Sequence, residues 1–171
     1  MIKLDFFKTN AALKTEKIRI RKPSPSQTLF ANTVLEVFSP TVREFGFVRQ
    51  RTEVGENMTA VVFQRAGQYI KIIGSTYPRD YPYYFNILFG KCDSDDFSDR
   101  EAIALWRFKL KIDPDAKVAD YEFPFGENVK SSVCTVNGEF LKYAESFLHG
   151  ELSLFNELVS EQNMQMGTLK T

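Results

Sequence analysis

His149 is the only imidazole in the chain, so a Ser-His-Asp or Cys-His mechanism would have to run through it. It stands in Phe147-Leu148-His149-Gly150, where a helical pattern ends. A cationic side chain there complements the negative end of the helix dipole, and we adopt this structural reading. Asp93, Asp95, Asp96, Asp99 and Glu101 gather in one short stretch. A calcium loop needs ligands at alternate positions, a Gly at the sixth and a Glu at the twelfth. Here Phe97, Ser98 and Ala104 stand at the fifth, sixth and twelfth positions. The run reads instead as acids collected at a helix N-terminus. Cys92 and Cys134 form no CxxC, and one His cannot complete a zinc set. A cytosolic chain keeps such thiols reduced, and both read as buried or half-buried. The glycine-rich phosphate loops, the GxSxG elbow and the HExxH zinc motif do not occur. Among 22 carboxyl side chains, nothing local selects a pair for glycoside chemistry. The sequence therefore assigns no catalytic residue, no metal ligand and no cofactor.

Recognition is written more clearly than reaction. Tyr77-Pro78-Arg79-Asp80-Tyr81-Pro82-Tyr83-Tyr84 holds four Tyr, two Pro and an Arg in eight residues. Tyr and Arg anchor protein interfaces because they bury a large area at modest entropy cost. Proline stiffens such a loop before binding and lowers the ordering cost. Tyr77, Arg79, Tyr81, Tyr83 and Tyr84 are the candidate binding residues. The competing reading makes them a cover over the open edge of the core. Lys17/Arg19/Arg21 and Arg107/Lys109/Lys111 alternate like basic edge strands, where charge discourages sheet-to-sheet pairing. Phosphate contact is the weaker alternative, since neither run is interleaved with exposed aromatics.

These residues need a frame. The chain has 171 residues, 43% hydrophobic and 14% aromatic, with 16 Phe. That excludes disordered, collagen-like and coiled-coil classes and allows one full core. Lys+Arg and Asp+Glu both total 22, but residues 1–51 carry 10 basic and 4 acidic side chains, a net of +6 balanced by −6 in the remainder. The sequence pI of 6.6 argues against a nucleic-acid domain. The N-terminal stretch does not read as a secretory signal, and no window approaches a membrane span, so a cytoplasmic protein without a membrane partner is expected.

Residues 1–25 read as an arm, in which Ile2, Leu4 and Phe6, then Ile18 and Ile20, alternate with polar side chains as short half-buried strands do. Residues 26–171 read as one domain. A helix capped by Ser26 carries the stripe Phe30, Val34, Val37, Phe38, Thr41 and Phe45, with Pro40 either kinking it or opening a second helix, and Gly46 past its end. Phe47–Thr52, Thr59–Arg65, Gln68–Ser75 and Tyr83–Lys91 form an antiparallel meander with turns at Gly55-Glu56-Asn57 and Ala66-Gly67. The near-continuous apolar run from Tyr83 to Phe89 suggests a strand buried on both faces. Ser98-Asp99-Arg100-Glu101 matches a capping box for a helix whose apolar side is Ile103, Trp106 and Leu110. Tyr121–Gly126 is extended or looped. Val129, Val133, Val136, Phe140, Tyr143, Ala144 and Phe147 trace a longer helix, and Leu152–Gln162 a last one, with residues 163–171 frayed. The class is α+β: a single antiparallel sheet of three to five strands with helices packed on one face.

From Phe38 to Gln162 this order resembles a group of uncharacterised bacterial α+β proteins of unknown function. Phe45-Gly46-Phe47, Phe63-Gln64 and Phe89-Gly90 carry the resemblance. So do Phe147-Leu148-His149-Gly150-Glu151-Leu152-Ser153-Leu154-Phe155 and Ser160-Glu161-Gln162-Asn163. The resemblance implies an immunity-like factor that neutralises a toxin by binding it, and it implies no catalytic residues. The expected function is non-catalytic protein binding, with a toxin or a second copy as partner. The alternatives are a small carboxylate-based enzyme and nucleic-acid binding through the basic arm.

Overall fold

Ser24, not Ser26, opens the first helix. In the computed structural model, which describes residues 22–79, 82–92, 97, 101–116, 123–125 and 128–168, helix α1 runs from Pro25 to Glu44. Ser24 Oγ accepts from the Gln27 amide, and Gln27 Oε1 accepts from the Ser24 amide. Pro25 takes the first helical position, where a missing N–H costs nothing, and this excludes Ser26 as the cap. Pro40 lies inside one continuous helix, and Gly46 follows its end at φ +81°.

Four strands then form the meander: β1 (Val48–Val54), β2 (Met58–Arg65), β3 (Gln68–Ser75) and β4 (Tyr83–Lys91). All pair antiparallel in the order β1-β2-β3-β4. The far edge of β4 is shared by two short strands. β5 (Ile103–Ala104) pairs with Leu88 and Phe89, and β6 (Phe123–Phe125) with Tyr83–Phe85. Ile103 is thus a strand residue, and the helix expected to include it begins later, as α2 (Leu105–Ile112). Pairing with Phe89 buries Ile103 completely, which a helical position off the sheet would not do. Helices α3 (Val129–Tyr143), α4 (Glu145–Leu148) and α5 (Ser153–Thr168) complete the chain. Helix α5 continues well beyond Gln162, where fraying was expected. The expected arm strands, and Asp93, Asp95, Asp96 and Asp99, lie outside the described residues.

One face of the sheet carries the main core. Val61, Phe63, Ile70, Ile72, Phe85, Ile87 and Phe89 alternate along the strands and meet buried side chains from all five helices. Burial in β4 alternates, so that strand is covered fully on one face and partly on the other, contrary to the apolar run of its sequence. The α+β class with helices on one face is the observed architecture. Two glycines set how closely rings approach the sheet. A Cβ on Gly74 would fall 2.6 Å from the Phe30 ring, and one on Gly90 2.1 Å from that of Tyr69. Such contacts cannot form without displacing a buried aromatic.

The opposite face carries a smaller cluster of Val62, Tyr69, Cys92, Phe97 and Ala102. Arg51 stacks its guanidinium 4.6 Å from the Phe97 ring centre. Both cysteines are free thiols. Cys92 is buried as expected, but Cys134 is exposed, because it lies on the outer side of α3.

Candidate functional site

Three chain turns meet at one end of the sheet. The β1–β2 turn, the β3–β4 connection and the first turn of α1 are tied together by backbone groups. Gln27 Nε2 donates to the carbonyls of Gly55 (3.0 Å) and Met58 (3.3 Å), and the Thr76 amide donates to Asn57 O at 2.7 Å. Gln27 is 97% buried, so these two bonds satisfy an amide that would otherwise be costly to enclose.

This end presents the candidate binding residues. Tyr77 is 43% exposed, and Pro78, Arg79 and Pro82 are exposed beside it. Tyr83 and Tyr84 are half-buried. The Tyr83 ring lies 5.7 Å from that of Phe125, and Tyr84 is in register with Pro124. Tyr81 lies outside the described residues. The segment therefore divides: Tyr83 covers the core edge on β6, whereas Tyr77 and Arg79 face solvent.

Two further apolar residues share this end. Met58, at the start of β2, is 51% exposed, and Leu29 on α1 is 54% exposed. Neither was singled out from sequence. Leu29 stands off the Phe30/Val34 stripe, and Met58 directly follows a turn, so each carried a faint signal as an apolar residue in a polar position. Leu29 borders a shallow depression lined by Lys22, Pro23, Pro25, Thr28 and Asn32.

A cleft of about 590 Å³ opens at the same end on the face of the sheet opposite the main core, lined by Glu53, Val54, Glu56, Met58, Ala60 and Lys71 among others. Lys71 is 7% exposed and its Nζ lies 3.6 Å from Glu53 Oε2, while Arg51 holds Glu53 Oε1 at 2.7 Å. A smaller hollow of about 290 Å³ lies between the end of β4 and α5, where Lys91 Nζ donates to Asn156 Oδ1 at 2.7 Å.

His149 caps α4 at its C-terminal end, exposed, with its ring edge-on to Phe45 at 5.2 Å. Among the described residues, no three His, Cys, Asp or Glu side chains converge as a metal site. Arg107, Lys109 and Lys111 lie on helix α2 and not on an edge strand. They bind Gln162, Glu139 and the Glu157/Glu161 pair respectively. Among the described residues, no helix is long and apolar enough to cross a membrane. No protein-family model matches the chain, and no similar curated protein or solved structure was found.

Proposed function

We propose that this chain is a non-catalytic protein-binding domain of the immunity type, docking a protein partner through the Tyr77–Met58–Leu29 end. The carrying observation is that three exposed large apolar side chains, Tyr77, Met58 and Leu29, stand on the elements that meet at this end, with exposed Pro78, Arg79 and Pro82 in the same segment as Tyr77. A tight β-turn pairing and the Gln27 bonds hold this surface, so little ordering cost falls on binding. Tyr, Met and Arg are the side chains that interface centres favour. The reading places the protein in the cytoplasm, supported by its two free thiols.

The test is affinity capture with the intact chain and with the Tyr77→Ala/Met58→Glu variant, after thermal melts show both equally folded. A protein retained by the first should be lost by the second, with affinity falling about tenfold or more, as for removal of an interface anchor. Expressed alone in the source cell type, that protein should be toxic, and the chain should relieve the toxicity. Equal retention by both forms would overturn the assignment of this surface. A retained protein without toxicity would overturn the immunity reading.

A further inference from the structure

We infer that the outer edge of β1 pairs with β1 of a second copy of this chain, antiparallel about a two-fold axis at Thr52, which joins two sheets into one. The inference goes beyond the protein-binding reading and does not depend on it, because the pairing uses neither Tyr77, Met58 nor Leu29.

Among the described residues, β1 pairs on one side only, with β2, and stands at the end of the sheet. Val48–Arg51 are exposed and Thr52–Val54 half-buried. The hairpin fixes which backbone groups point outward. The Gly55 amide donates to Met58 O at 2.8 Å, so these two residues form a hydrogen-bonded pair. Bonded and non-bonded pairs alternate along an antiparallel ladder. Glu53 and Ala60, then Arg51 and Val62, therefore turn their backbone groups toward each other, while the N–H and C=O of Thr52 and Val54 turn away from β2. An edge of that kind is a template for another strand.

Side-chain charge selects both the partner and the register. With Thr52 opposite the partner's Thr52, each N–H meets the other's C=O, and Arg51 faces the partner's Glu53 on both sides of the axis. An axis at Arg51 would set two arginines against each other, and an axis at Glu53 two glutamates. Like charges directly opposite destabilise a sheet. An axis between residues would set outward backbone groups against inward ones. Arg51-Thr52-Glu53 is thus self-complementary about Thr52, and the charges that discourage a foreign strand at this edge suit a second copy. The bulge between Arg49 and Arg51 limits the pairable run to a few residues, so the dimer is weak and concentration-dependent. With 22 basic and 22 acidic side chains, the copies carry no net charge to hold them apart.

The experiment uses the full chain. In sedimentation equilibrium the mass should rise with concentration from 19.7 kDa toward twice that value, with a Kd tighter than about 1 mM. A mass constant at 19.7 kDa would overturn the proposal. Thr52→Pro removes an N–H that points away from β2, so the hairpin keeps its own bonds. This variant should stay monomeric with its Tm retained, and a dimer that survives the substitution would overturn the proposal. Cross-linking decides the matter even where proline disturbs the fold. In a Cys134→Ser background, with Cys92 left in its buried place, Thr52→Cys should give a disulfide-linked dimer on oxidation with diamide. Bonded partners on the axis stand about 5.5 Å apart at Cα, within disulfide reach. Val48→Cys lies four residues from the axis, more than about 20 Å from its copy, and should give none. Equal yields from the two variants, or no dimer from Thr52→Cys, would overturn the proposal.

Discussion

Arg65 stands at the end of β2 and binds groups from four other places in the chain. Its Nη1 donates to Phe45 O and Leu148 O, both at 2.7 Å, and Nη2 donates to Phe147 O at 3.0 Å. Its Nε reaches Gln68 Oε1 at 2.7 Å, and the guanidinium lies 4.5 Å from the Phe47 ring centre. The carbonyls belong to the ends of α1 and α4, where orphan acceptors and negative dipole ends gather. Burial lowers the guanidinium pKa from its ordinary value, yet an arginine stays charged at any working pH. Arg65→Met should cost about 2–3 kcal/mol in urea unfolding, because three carbonyls lose a charged donor while water reaches them only in part. Arg65→Lys should recover less than half, since an ammonium cannot fork to three acceptors and stack on a ring. A loss below about 0.5 kcal/mol would show that water replaces the arginine. None of this was legible in sequence. Arg65 reads as an ordinary charge before the Ala66-Gly67 turn, and the carbonyls it binds lie 20 and more residues away.

Helix α2 shows how an element can carry a misleading pattern. Arg107, Lys109 and Lys111 are spaced like the exposed side of a strand, but the backbone is helical. At 3.6 residues per turn, positions 107 and 111 share a side and 109 points elsewhere. That divides the cations between two helices, with Arg107 and Lys111 meeting α5 and Lys109 meeting Glu139 on α3. The longer helices were legible because Phe30, Val34 and Phe38, or Val133, Val136 and Phe140, recur over many turns. Eight residues gave α2 no such length. The α2–α5 clamp has a pH signature. Hydrogen bonding to Lys111 holds the Glu161 carboxyl below its usual range, and hydrogen bonding to Glu157 and Glu161 raises the Lys111 pKa. A lowered carboxyl pKa stabilises the fold above the unfolded-state value and loses that effect as pH falls through the folded one. A raised lysine pKa acts below the unfolded-state value and is lost as pH rises through the folded one. Lys111→Met should therefore lower Tm slightly at pH 7 and leave it unchanged at about pH 2, where the acids are protonated in both forms. The difference at pH 7 should shrink in 1 M salt, as for any exposed pair. A Tm difference that persists undiminished at about pH 2 would mean that Lys111 acts through packing.

At the scale of the molecule, what could be read from sequence is what neighbours along the chain decide. The β1–β4 meander follows from turn residues between β-rich runs, and the α+β class from the helices around it. The edge beyond β4 was not legible, because β5 and β6 are two and three residues long and acquire strand geometry only by pairing with β4. The candidate binding end was half legible. Its Tyr-rich segment stands out by composition, whereas Met58 and Leu29 join it only through tertiary contacts. This dependence on β4 predicts how the domain unfolds. Phe89 of β4 touches Phe108 of α2, Phe140 of α3 and Phe147 of α4 at ring separations of 5.1, 5.9 and 5.1 Å. Phe147 in turn meets Phe155 of α5 at 5.3 Å. Phe89 thus joins the sheet to three helices directly and, through Phe147, to α5. Trp106, the sole tryptophan, sits half-buried on α2 and reports from the edge farthest from β1. Its fluorescence and the far-UV circular dichroism should give one coincident transition in urea, the sign of a cooperative domain. Phe89→Ala should lower both midpoints together, at a cost of about 3–5 kcal/mol. Trp106 fluorescence changing ahead of the dichroism would show instead that the α2–α5 layer opens as a separate unit, so that the aromatic seam through Phe89 does not bind the fold into one.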